Sequence, residues 1–186
     1  MRPSPLPDGS LVVLGIDPGL RATGWAVLAL TGSGVSSAER EELSVLGYGA
    51  VQTETGAALP ERLLQIALGL REVIRRWRPA EAAVEEAFVA ANKRVAIAIG
   101  QARGVALLAV AEADLPVFEY SASEVKQAVS GYGRGSKQQV QEMLRLQLGL
   151  ESAPQPADAA DALATALCHV VRRRAEARVA GTSTFP

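Results

Sequence analysis

The sequence predicts a mixed-sheet α/β domain, on three observations. Three strand-like runs joined by short connections open the chain, the apolar period then lengthens to that of a helix, and from there helices alternate with short strands.

The apolar run 11–16 ends at Asp17-Pro18-Gly19, as a buried strand meeting a turn does. Residues 23–30 form a second run and 45–53 alternate as a third, with the polar stretch 31–42 between them as a surface hairpin loop. Three strands so connected predict an antiparallel meander. Over 60–77, Leu63, Ile66, Leu70, Val73, Ile74 and Trp77 recur at spacings of three and four, one face of an amphipathic helix. Pro60 suits the first turn of that helix and Pro79 stops it. Residues 81–85 are a short strand carrying Ala83 and Val84. A helix over 93–112 contains Gly100 and Gly104, which allow another backbone to approach closely. A strand over 116–120 and a short helix near 123–129 follow. The stretch 130–136 is too rich in glycine to hold regular structure. Residues 137–148 are helical, 149–156 form a loop, and an Ala-rich helix runs from 157 to about 178.

At 186 residues and 48% hydrophobic, the chain can bury one substantial core, so one domain is expected over 11–178. Residues 1–10 read as an N-terminal extension and 179–186 as a flexible tail. With 19 basic against 20 acidic residues the chain is no general polycation, and a nucleic-acid partner requires a local basic surface. The single cysteine, Cys168, excludes an internal disulfide framework and a multi-thiolate zinc site. The single histidine, His169, makes a Ser-His-Asp triad or a two-histidine zinc motif hard to build. Enzymatic chemistry here must rest on carboxylates. No uninterrupted apolar stretch reaches the roughly 18–20 residues of a membrane span. No signal-peptide core precedes the domain, so a cytoplasmic protein without membrane contact is expected.

Four carboxylates stand out. Asp17 ends a buried strand, where the ordinary role of Asp before Pro-Gly is turn formation. Glu85 closes a later strand, where a solvated strand-end charge is the commoner case. Asp158 and Asp161 share a face at the start of the last helix. Their repulsion is partly offset by the positive end of the helix dipole, and Asp enrichment there is ordinary. If the strands of Asp17 and Glu85 are neighbours, their backbones lie about 4.8 Å apart and carboxylates from both can bridge the same ions. Oxygen donors of this kind select Mg²⁺ or Mn²⁺. A pair of such ions about 3.5–4 Å apart suits phosphodiester hydrolysis.

The ordered set of local motifs adds to this. Leu14-Gly15-Ile16-Asp17-Pro18-Gly19 with Arg21 and Thr23-Gly24 resembles the opening hairpin of RuvC Holliday junction resolvases. Ala83-Val84-Glu85 with Phe88 resembles that family's second acidic segment. The stretches 100–106, 116–120, 125–127 and 155–164 continue the match in order, so it runs from about 11 to 169. The resemblance implies a ribonuclease H-like fold: a five-stranded mixed sheet, the three-strand antiparallel meander plus two parallel strands, flanked by helices. It implies a homodimer and Mg²⁺- or Mn²⁺-dependent cleavage, with two ions expected per active site. Asp17, Glu85, Asp158 and Asp161 match the family's catalytic and metal-binding carboxylates. Paired nicks in strands of like polarity are implied, leaving 5′-phosphate and 3′-hydroxyl ends that a ligase can seal. Four-way junction DNA is the implied substrate, in recombination and repair, and the RuvA–RuvB branch-migration complex the implied partner. A two-fold dimer suits a junction of approximate two-fold symmetry, and the 93–112 helix is the candidate interface, intramolecular packing of its glycines being the alternative.

For DNA binding, Lys126 and Lys137 match family positions near the site, and Arg134 shares a basic loop suited to phosphates, or else a plain surface loop. Phe88 is a candidate wedge against unstacked bases, although a lone Phe is usually core. Arg172, Arg173 and Arg174 read as a solvated helix end, and Cys168 and His169 as helix packing residues. Glu86 departs from the family's common amide and adds a negative charge, either tuning metal affinity or pointing to solvent. Three alternatives stay open: a phosphate-handling ATPase, a catalytically silent junction-binding protein, and a ribonuclease H-like nuclease acting on structured RNA.

Overall fold

The computed structural model describes residues 6–7, 9–32, 41–86, 93–131 and 136–182. Three strands open it: β1 (Leu11–Asp17), β2 (Ala22–Thr31) and β3 (Glu42–Gln52). Helix α1 (Leu59–Trp77), strand β4 (Glu81–Glu85), helix α2 (Lys93–Ala111) and strand β5 (Val117–Tyr120) follow. Three helices complete the chain: α3 (Ala122–Ser130), α4 (Lys137–Gln147) and α5 (Ala157–Thr182).

The strands form one five-stranded sheet in the order β3-β2-β1-β4-β5. The meander β1-β2-β3 is antiparallel, whereas β4 pairs parallel with β1 and β5 parallel with β4. Strand β1 is therefore central and covered on both faces, which explains its unbroken apolar run. On one face Leu14, Ile16, Val27 and Val84 pack with Ile66 and Leu70 of α1 and Ala102 and Ala106 of α2. On the other, Val13, Ala26, Leu28 and Ala83 pack with Val125 of α3, Leu144 of α4 and Leu163 and Leu167 of α5.

Helix α5 makes the closest contact with the sheet. A Cβ at Gly15 of β1 would lie 2.2 Å from the Ala162 carbonyl oxygen and 2.8 Å from the Ala166 Cβ. A Cβ at Gly24 of β2 would lie 1.9 Å from the Asp158 carbonyl oxygen. The helix presents small side chains in return: Ala159, Ala160, Ala162, Ala164 and Ala166 are all buried. Its backbone thus rests on bare strand backbone over its first turns.

Two expectations about α5 change. The helix runs to Thr182 rather than ending near 178, because no helix breaker precedes Gly181. Its arginines are not a merely solvated end: Arg172 pairs with Glu124 of α3, Arg173 with Glu81 of β4, and Arg174 with Glu41 just before β3.

Helix α2 is, by length and composition, apolar enough to cross a membrane, with a mean hydropathy of 1.5. Its inner face nevertheless carries the buried Ala102, Ala106, Ala109 and Val110 of the core. Ile97 and Leu108 lie opposite, 62% and 53% exposed, with Gly100 and Gly104 on the same stripe by helical periodicity. Among the described residues, nothing beyond the helix's own backbone lies within 4 Å of a Cβ added at either glycine, so their close approach is not used among those residues.

Substituting Gly15→Ala should lower stability by about 1–3 kcal/mol, the usual cost of overpacking a filled interior. Urea unfolding should show a lower midpoint at unchanged slope. A midpoint equal to that of the parent protein would show that α5 can lift off β1 without cost.

Candidate active site

Asp17 is the last residue of β1, paired across to Gly24 of β2. The parallel β1–β4 register ends at Ile16 opposite Val84, so Asp17 and Glu85 are the next residues along on adjacent strand ends. Asp158 stands in the first turn of α5 and Asp161 one turn on, delivered by the contacts at Gly24 and Gly15. The turn after Asp17 is fastened from three sides. The Thr23 hydroxyl donates to the Gly19 carbonyl at 2.8 Å, and the Thr53 hydroxyl to the Leu20 carbonyl at 2.7 Å. Arg62 of α1 reaches the same Leu20 carbonyl at 3.1 Å and Thr53 Oγ1 at 2.9 Å.

Asp17, Glu85 and Asp161 line one cavity of about 330 Å³ together with Lys126 of α3 and Lys137 of α4, walled by Val125 and Val140. Asp158 is not part of that lining, but its charge acts on Asp17. Lys137 Nζ donates to Asp161 Oδ2 at 2.8 Å. Glu86 is exposed and outside the lining, which fits a side chain in solvent. Phe88 and Arg134 lie outside the described residues.

The electrostatics are those of an acidic cluster short of positive charge. Burial, then repulsion from Asp161, Glu85 and Asp158, pushes the Asp17 carboxyl up to about 7, with Lys137 opposing. Burial and then Asp161 also raise Glu85, while Lys126 and Lys137 pull it down. The hydrogen bond to Asp161 holds the Lys137 ammonium above its usual range. A divalent cation would remove the repulsion that raises Asp17, and hard carboxylate oxygens are the donors Mg²⁺ and Mn²⁺ take. Charge and donor type therefore fit such an ion. Spacing is not yet that of a closed ligand set: among the described residues no three Asp, Glu, His or Cys side chains stand as a ready-made metal site.

Sequence reasoning missed the structural part of His169. Its ring is fully buried, with Nδ1 2.6 Å from the Tyr120 hydroxyl and Nε2 2.6 Å from Glu81 Oε2. Arg173 donates to the other Glu81 oxygen at 2.9 Å. These partners come from β4, β5 and α5, and no local signal announces them.

Comparison with known proteins agrees with the fold. The family model "Crossover junction endodeoxyribonuclease RuvC" matches residues 13–169. The crossover junction endodeoxyribonuclease RuvC of Chloroflexus aggregans is 53% identical over 156 residues, covering 84% of this chain and 90% of that protein. That of Rubrobacter xylanophilus is 48% identical over 166 residues, covering 89% and 88%. Thermus thermophilus RuvC in complex with a Holliday junction substrate superposes with a TM-score of 0.77 at 36% identity, over 90% of this chain and 98% of that one. The five-stranded mixed sheet and its flanking helices are thus a ribonuclease H-like fold. Carboxylates at the ends of adjacent strands, and a match running through most of the domain, lead to one assignment: this chain is a member of the RuvC crossover junction endodeoxyribonuclease family.

Proposed function

We propose that the chain resolves four-way DNA junctions as a homodimer, by paired, divalent-metal-dependent nicks in strands of like polarity that leave 5′-phosphate and 3′-hydroxyl ends. The carrying observation is the single cavity that holds Asp17, Glu85 and Asp161 beside Lys126 and Lys137. The junction bound by the T. thermophilus relative supports the substrate. Homologous recombination and DNA repair in the cytoplasm, alongside a RuvA–RuvB branch-migration complex, are the setting that goes with this activity.

Asp17, Glu85, Asp158 and Asp161 are the residues that would hold Mg²⁺ or Mn²⁺. A pair of such ions supplies an activated water and charge relief for the leaving 3′-oxygen. The remaining work belongs to the chain. The fastened turn and the glycine contacts keep the carboxylates from drifting apart under their own repulsion. Val125 and Val140 give the cavity a dry wall, which strengthens each charge interaction within it. Lys126 and Lys137 offset the negative field that would otherwise repel a phosphodiester, and engage phosphates beside the scissile one. Arg134 extends that basic surface, and Phe88, three residues after Glu85 in sequence, is the candidate wedge between unstacked bases.

The outer stripe of α2 is the proposed dimer contact. It leaves Ile97 and Leu108 in solvent with two glycines between them, and a second copy would cover this face. A two-fold dimer would offer one site to each of two junction strands.

Asp17→Asn should bind a four-way junction in Ca²⁺ as the parent protein does, yet lose at least about a thousandfold in nicking rate in Mg²⁺. A mobile junction, a linear duplex and a structured RNA should be compared as substrates. Cutting of the junction alone is expected, and equal cutting of the RNA would refute the assignment. Without divalent cations the sign of the pH effect follows from the raised Asp17 carboxyl. Its folded form binds a proton more tightly than the unfolded chain, so its contribution to stability is present below 3.8 and lost as pH rises through about 7. Relative to Asp17→Asn, the parent protein should therefore lose melting temperature across that window, and added Ca²⁺ should restore it at the upper end. Parallel melting profiles for the two proteins would sink the buried-charge argument. Finally, Ile97→Glu with Leu108→Glu should give a folded monomer by light scattering that no longer cuts both strands of one junction. A stable dimer carrying both changes would move the interface elsewhere.

A further inference from the structure

Lys137 is committed to one carboxylate in a way that Lys126 is not. Lys137 Nζ donates to Asp161 Oδ2 at 2.8 Å, whereas among the described residues Lys126 lines the same cavity without a hydrogen bond to a carboxylate. The Lys137 side chain is 59% exposed and that of Asp161 34%, so the ammonium can be reached from solvent. The backbone beneath it is fixed. Lys137 is the first residue of α4, whose capping box joins the Gln139 amide to Ser136 Oγ at 3.2 Å and the Ser136 amide to Gln139 Oε1 at 2.8 Å. Only the side chain has to move for the ammonium to leave Asp161. Among the described residues no three carboxylates form a closed ligand set.

We propose that Lys137 is an internal counter-ion that occupies the cation's place at Asp161 until a DNA phosphate draws it away, so that metal loading and DNA binding reinforce each other. The proposal rests on the metal-binding assignment above. Its physical content is an exchange of partners. In the DNA-free protein the ammonium neutralises part of the carboxylate cluster, and a divalent ion has to displace it against like-charge repulsion. With DNA present, a backbone phosphate offers the ammonium a new anion, Asp161 regains its oxygen, and the cluster keeps only Lys126 as positive charge in the cavity. The two bindings then favour each other by the same factor in either order, as linkage requires. Such a device keeps the hydrolytic site poorly loaded on a protein without substrate.

The test is Mn²⁺ binding, followed by electron paramagnetic resonance on the purified full chain. Lys137→Met, close in size and without charge, should bind Mn²⁺ more tightly than the parent protein in the absence of DNA, on the order of tenfold. Lys137→Arg, which keeps the charge, should bind as weakly as the parent. Adding a four-way junction in which the scissile phosphates are replaced by a non-cleavable linkage should tighten Mn²⁺ binding to the parent protein far more than to Lys137→Met. Equal Mn²⁺ affinities for the parent and Lys137→Met, both lost on Asp17→Asn, would overturn the exchange while leaving the metal site standing. No Mn²⁺ binding to any of these proteins, with or without the junction, would overturn the metal site and the exchange together.

Discussion

The architecture depends on one steric condition, that α5 lies directly on the backbones of β1 and β2. Side chains at Gly15 and Gly24 would collide with the carbonyl oxygens of Ala162 and Asp158, so the contact exists only because both positions lack a Cβ. The helix meets this condition with alanines rather than larger residues. Close approach sets how far Asp158 and Asp161 stand from Asp17, which is fixed in turn by the Thr23, Thr53 and Arg62 hydrogen bonds around the following turn. A helix held one methyl group further out would still cover the sheet, but its two carboxylates would no longer address the strand ends.

This arrangement works against itself electrostatically. Half-buried carboxylates are forced together by apolar packing on both faces of the sheet, and the rise of the Asp17 carboxyl to about 7 reports the strain. The lysines on α3 and α4 soften it without removing it. Folded proteins tolerate such groups when the surrounding packing over-determines their positions, and functional sites are where they concentrate. In this domain the over-determination comes from the continuous cores on either side of β1.

What could be read in the sequence follows from how local each cause is. The two-sided burial of β1 and β2, the period change into α1, and the proline limits of that helix are written within a few residues and were legible. The adjacency of Asp17 and Glu85 was not, because the parallel pairing of β1 with β4 joins residues 68 apart in sequence and leaves no periodic trace. In the sequence it stands only as a condition, and the register, ending at Ile16 opposite Val84, meets it. Arginine partners are illegible for the same reason: Glu41 precedes β3, Glu81 lies in β4 and Glu124 in α3, all far from α5 in sequence. The end of α5 differs on local grounds: the glycine at 181 suggests a stop near 178, whereas the Ala- and Arg-rich segment keeps its helical preference to Thr182.

The far half of α5 explains how the near half can be so exacting. Eight residues, about 12 Å of helix, separate Asp161 from His169. There the Glu81 carboxylate can only accept, so it assigns the imidazole proton to Nε2 and leaves Nδ1 to accept from the Tyr120 hydroxyl. Burial lowers the pKa of His169 and pushes that of Tyr120 up to about 12, so both stay neutral and the network keeps one arrangement of donors and acceptors. Each polar atom is answered within the fold, and Arg173 completes Glu81. Helix α5 is therefore pinned to β1 and β2 by absent side chains and to β4 and β5 by a satisfied polar chain. These two sets of contacts hold α5 at separate places along its length, so a side-chain movement such as that proposed for Lys137 requires no shift of the helix that carries the acids.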